Sequence, residues 1–172
     1  KGGGRERGFP ERPLGGAKQI TASIGRAARP KDIFSIVGDH HRELDHVHVG
    51  MALDKLGKMA HGPKAKDSKL DLSRRRHTAD KDFQKLLDLT HALAKQAKFG
   101  SHSVAKMTHG MARLHKAGRL DATDESVDAT LAALEGEAVR VAPDMNSHSV
   151  ASIVWSFGTL KRMPGDKTWA AL

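Results

Sequence analysis

The chain contains no cysteine and no tyrosine. Without thiols it can form neither a disulfide nor a thiolate metal centre. Aromatic residues make up only 4% of the 172 residues, and both tryptophans lie near the C-terminus, at Trp155 and Trp169. That scarcity argues against the aromatic platforms on which RRM and OB folds stack bases. No stretch approaches 18 apolar residues, so no segment reads as a membrane-spanning helix and a membrane is not expected as a partner. The start carries no secretory apolar core. Lys1 stands where an initiator Met would, which predicts a removed leader or a piece of a longer chain. The glycines at Gly2–Gly4 follow no strand and lead into no GK[ST], so they are not a phosphate loop. No G-x-S-x-G elbow and no HExxH motif occurs, and paired acids such as Asp124 and Glu125 read as helix-start residues. The expectation is a non-enzyme with no cofactor.

What the sequence has is positive charge. Lys and Arg number 29 against 20 Asp and Glu, a net charge of +9 with a sequence pI near 10.0. That balance favours a polyanionic partner. The charge is uneven. Residues 1–120 hold 25 basic and 12 acidic side chains, net +13, and residues 121–172 hold 4 and 8, net −4.

A repeat organises the chain. Ser101-His102-Ser103-Val104-Ala105 returns 46 residues later as Ser147-His148-Ser149-Val150-Ala151. Beyond it, Val104, Met107, Thr108, Met111 and Leu114 match Val150, Ile153, Val154, Phe157 and Leu160. A more degenerate copy has Val49, Ala52, Leu53, Leu56 and Met59. The shared spacing is one apolar stripe of an α-helix. Small residues recur beside it, Gly50, Ala105 and Ala151 in one position and Gly57, Ala112 and Gly158 in another. Two turns apart on one face, they predict close helix packing. Each stripe follows another amphipathic segment, at 31–44, 81–98 and 124–142. Ser101 and Ser147 (or Asn146) are expected N-caps of the second helices, and Pro143 separates the third pair.

One helical pair cannot bury its apolar face, but stacked pairs can. The predicted fold is therefore all-α, an α-solenoid of stacked helix-turn-helix repeats. Residues 1–17 read as a flexible basic arm and 18–172 as the array. Its copies fall at about 18–59, 80–117 and 124–163, with a further copy starting at 166–172. A basic insertion, 60–79, interrupts the first junction and accounts for the 55-residue spacing between the first two copies.

The run Ser149-Val150-Ala151-Ser152-Ile153-Val154-Trp155-Ser156-Phe157-Gly158-Thr159-Leu160 resembles the signature helix of octotricopeptide repeat proteins. Ile20–Ile24 and His46–Leu53 are similar to the opening of such arrays. The resemblance covers roughly residues 18–172. The Trp155 position is Asp54 in the first copy and His109 in the second, and the family's Pro-Pro-Pro-Glu-like turn is absent. The resemblance implies a nucleus-encoded, organellar RNA-binding protein acting in RNA stability, splicing, translation or organellar ribosomes. The recurrence of the Trp within the family implies packing rather than base stacking.

These readings set the expected site. The densest histidine run, His40-His41 to His48, matches no metal-ligand spacing and reads as surface or capping residues, so no metal is expected. Phosphate contacts are expected from Lys64, Lys66, Lys69, Arg74, Arg75, Arg76 and His77 in the insertion, and from Lys98, His102, Lys106, Arg113 and Lys116 around the second copy. A long basic insertion in a degenerate array suits structured RNA. The leading expectation is a ribosome-associated subunit that holds rRNA, in a mitochondrion before a chloroplast. Neighbouring ribosomal proteins would meet its acidic 121–146 segment. A transcript-specific RNA factor and a protein-protein scaffold stay open as alternatives.

Overall fold

The structure, a computed structural model, describes residues 16–61, 77 and 80–172. The arm to residue 15 and most of the 60–79 insertion lie outside the described residues. Within them the chain is all-α, with eight α-helices and no strand.

Several helices begin where local chemistry supplies a start. Helix α1 (Ala17–Arg26) buries Ile20 and Ile24, one turn apart. Helix α2 (Pro30–His40) opens on Pro30, whose missing N–H costs nothing at a first position. The Asp32 carboxylate accepts from the backbone N–H of Ala28 and Arg29 there. Helix α3 spans His46–His61. Helix α4 (Lys81–Lys95) is capped by Asp80, which accepts from the N–H of Asp82 and Phe83. Helix α5 (Ser101–Lys116) starts after Gly100, with no side-chain cap. The expected cap, Ser101, is instead its first residue. Helix α6 (Glu125–Val141) is capped by Asp124. A short 3-10 turn at Ala142–Asp144 holds Pro143, and helix α7 (Ser147–Thr159) is capped by Asn146, which accepts from Ser149 N–H at 2.8 Å. Helix α8 covers Asp166–Ala171.

The helices form two layers. In one, α1 packs on α3, α3 along α5, and α5 along α7. In the other, α2 packs on α4, α4 on α6, and α6 on α8. The apolar stripes meet between the layers in one continuous core. Phe83, Leu86, Leu87, Val127, Leu131 and Leu134 come from the second layer, and Val49, Leu53, Val104, Met107, Ile153 and Phe157 from the first. All five stripe residues of α5 are buried. On α7 the stripe is incomplete. Ile153, Phe157 and Leu160 are buried, Val150 is half-buried, and Val154 is exposed because no further helix lies beyond α7 among the described residues.

Polar ties fix the layers. Glu137, buried on α6, accepts from Phe99 N–H at 3.2 Å, while Arg140 pairs with Glu137 at 2.6 Å and donates to Phe99 O. Glu135 accepts from Gly165 N–H at 2.7 Å and Thr168 Oγ1 at 2.9 Å, holding the start of α8 against α6. His48 is buried rather than at the surface. Its Nε2 lies 2.9 Å from Ala17 O, and its Nδ1 lies 3.1 Å from Asp45 N and 2.8 Å from Asp45 Oδ1. The imidazole thus ties the start of α3 to α1, as its place in the first turn of α3 allows.

Candidate nucleic-acid interface

Helix α5 has no acidic residue. Its residues His102, Lys106, His109, Arg113 and Lys116 follow the spacing i, i+4, i+7, i+11, i+14, which places them on one side of a helix. His102, Lys106 and Lys116 are exposed there, and His109 and Arg113 are half-buried. The opposite side of α5 buries Val104, Met107, Met111 and Leu114, so packing forces the row outward. The four sequence-expected residues of this helix, His102, Lys106, Arg113 and Lys116, are thereby brought together. No acidic side chain among the described residues pairs with Lys106, Arg113 or Lys116. Unneutralised, closely spaced cations raise the local positive potential and attract an anion.

The flanking helices add little charge to the row. Helix α7 also lacks acidic residues, and its matching positions are His148, Ser152, Trp155 and Thr159. Helix α3 contributes Lys58, but this lysine pairs with Asp54 at 2.6 Å. Trp155 lies at the seam of α5 and α7. Its ring centroid is 4.6 Å from that of His109, with the planes 39° apart, and the Lys116 Nζ lies 5.7 Å from the ring. Trp155 is 39% exposed, where the neighbouring Phe157 is 2% exposed.

Other expected residues sit elsewhere. Lys98 is exposed in the turn between α4 and α5, a turn that needs the left-handed Ala97 (φ 54°). His77 packs edge-on against Phe34, at 5.1 Å between centroids, and lies 5.7 Å from Phe83. Its backbone N–H donates to Arg119 O at 2.7 Å. Burial, and secondly the nearby Arg119 charge, push its pKa down from 6.5 to about 4, against an opposing pull from Asp80. The ring is therefore neutral near pH 7 and packs as an aromatic. Lys64, Lys66, Lys69, Arg74, Arg75 and Arg76 lie outside the described residues.

The acidic excess of 121–172 is largely engaged within the fold. Asp124 caps α6, Asp128 and Glu135 pair with Arg162, and Glu137 pairs with Arg140. Among the described residues no three His, Asp or Glu side chains converge as a metal site, and no helix is long and apolar enough to cross a membrane.

His109 is absent from the residues expected from sequence, although the spacing of His102, Lys106 and Arg113 includes its position. Trp155, expected to pack, is partly exposed. The seam that sets the indole beside His109 and Lys116 joins two helices whose starts lie 46 residues apart, and no local pattern encodes it.

No family model matches the chain, and neither does any curated protein or any solved structure.

Proposed function

We propose that this chain is an RNA-binding α-solenoid of the octotricopeptide type, a ribosome-associated subunit that holds rRNA in an organelle, a mitochondrion before a chloroplast. The observation that carries the RNA reading is the outward row on α5, where Lys106, Arg113 and Lys116 have no acidic partner among the described residues and neither α5 nor α7 has an acidic residue. The solenoid reading is supported by the two layers, in which corresponding helices of successive copies pack side by side. The octotricopeptide and organellar parts rest on the resemblance around Trp155. The ion pairs of Asp128 and Glu135 with Arg162 and of Glu137 with Arg140 leave less free acid for docking ribosomal proteins through 121–146, so RNA is the primary partner in this reading.

A salt titration tests it. The wild type, a Lys106→Ala/Arg113→Ala/Lys116→Ala variant and an Arg74→Ala/Arg75→Ala/Arg76→Ala variant are titrated with a structured RNA at several salt concentrations. Each neutralised phosphate contributes about −0.7 to −0.9 to the slope of log affinity against log salt. Each triple variant should therefore flatten the slope by roughly 2 to 2.7. An unchanged slope in both would remove the electrostatic basis of the reading. Co-sedimentation with organellar ribosomes that survives high salt and is lost on RNase treatment separates the ribosomal role from a free transcript factor and from a protein scaffold.

A further inference from the structure

We propose that Trp155, with His109 and Lys116 beside it, is a stacking site for one unpaired nucleobase of the bound RNA. The proposal rests on the RNA-binding reading and assigns to it a contact that charge alone does not supply.

Three observations converge on this seam. First, the indole is placed unlike a core residue. Ile153 and Phe157 on the same helix are almost fully buried, while Trp155 leaves 39% of its surface to solvent. Second, its surroundings suit a nucleotide. The His109 imidazole is 4.6 Å away and adds a second π-surface, tilted by 39°. Lys116 Nζ stands 5.7 Å from the indole centroid, and Lys106 and Arg113 share its helix face. A base needs a π-face, and the phosphate attached to it needs a cation nearby. Third, an apolar protein side chain docking at the same place would draw Lys106, Arg113 and Lys116 out of water without an anion to compensate them, which is unfavourable. A nucleotide supplies that anion.

Among the described residues the seam of α3 and α5 has no equivalent of this site. The Trp155 position is His109 in the preceding copy and Asp54 in the copy before that. Asp54 is paired with Lys58, which offsets the charge of that lysine, so the α3 end of the row offers a phosphate little attraction and a base no ring. The polarity of the row, acid at α3 and indole at α7, places the base at the α7 end and the backbone along α5. Lys116 is long and flexible. Its ammonium can turn from the ring to a phosphate as the base arrives, which exchanges one contact with the indole for another.

The test uses the full chain in a Trp169→Phe background, so that Trp155 is the only fluorophore of its kind. A short single-stranded oligoadenylate and an abasic strand of equal length are titrated, and strand anisotropy reports binding independently. The expected result is that both strands bind and only the oligoadenylate quenches Trp155. Trp155→Ala should weaken oligoadenylate binding roughly 5- to 150-fold while leaving the salt slope unchanged. Trp155→Phe should retain most of the affinity and guards against a folding defect in the Ala variant, checked by thermal melting. Equal quenching by the abasic strand, or unaltered oligoadenylate affinity in a folded Trp155→Ala variant, would overturn the stacking site and leave the RNA reading in place. Failure of both strands to bind the wild type would overturn the stacking site, and the RNA reading would fall with it only if the structured RNA of the salt titration also failed to bind.

Discussion

Gly57 on α3 and Gly110 on α5 meet backbone to backbone. A Cβ on Gly57 would lie 2.6 Å from Gly110 Cα, and a Cβ on Gly110 would lie 2.4 Å from Leu53 O. Neither obstacle is a flexible side chain, so the helices themselves would have to separate. Gly57→Ala and Gly110→Ala should each lower stability by about 1–3 kcal/mol, the cost of overpacking. Gly158 is the counterpart of Gly57 in the third copy, yet nothing lies within 4 Å of its Cβ position. Gly158→Ala should gain about 0.5–1 kcal/mol from helix propensity. Thermal or urea melts of the three variants decide the matter. Losses of equal size at all three would mean that the crossing is not where the fold is tight.

The stripe on α7 makes a second paired comparison. Ile153 is fully buried and Val154 is 37% exposed, although both occupy matched stripe positions. Ile153→Asp buries a charge without a partner and should unfold the third pair. Val154→Asp should change stability by no more than about 0.5 kcal/mol, as surface substitutions do. Circular dichroism against temperature measures both. A severe loss in Val154→Asp would show that α7 is covered.

Glu137 holds the turn between α4 and α5. Glu137→Ala strands the buried Phe99 N–H and removes the partner of Arg140, and should cost about 1–3 kcal/mol. Glu137→Gln keeps an acceptor for Phe99 N–H and should recover part of that loss. Arg140→Ala should cost less, because its side chain is 42% exposed. Urea denaturation of these variants tests the ranking, and an Arg140→Ala loss exceeding that of Glu137→Ala would refute it.

His77 gives the fold a pH dependence of known sign. Its pKa falls from 6.5 to about 4 on folding, so between those values the unfolded chain takes up a proton that the folded chain refuses. The stabilising effect of the neutral ring is complete above pH 6.5. It is lost as pH falls toward 4, at a rate of up to about 1.4 kcal/mol per pH unit. His77→Leu should remove this component. The difference in stability between wild type and variant should therefore move against the wild type from pH 6.5 to pH 5, a range above most carboxylate titration. A constant difference across that range would mean that the ring is solvated in the folded chain.

Much of this architecture was legible in local pattern. The i, i+3, i+4, i+7 stripes located α5 and α7, and Val104, Met107, Met111, Ile153 and Phe157 are core residues as that spacing requires. Asp124 and Glu125 marked a helix start, because carboxylates suit the positive end of the helix dipole, and Asp124 proves to be the cap of α6. The row His102, Lys106, Arg113 and Lys116 was also available, since a helix with one apolar side must turn its cations to the other. Segment 20–24 gave no sign that it is part of a helix of its own, α1, since two isoleucines one turn apart are too short a pattern. Contacts between distant segments were not encoded locally. Gly57 and Gly158 are equivalent in sequence, and only the presence or absence of a neighbouring helix makes one a tight crossing and the other open. The same holds for His48, buried by α1, and for Trp155, set beside His109 and Lys116 by the packing of α7 on α5. Helix formation depends on residues within a few positions of one another, whereas burial and side-chain partnership depend on which helix comes to lie alongside, and that is decided only when the layers assemble.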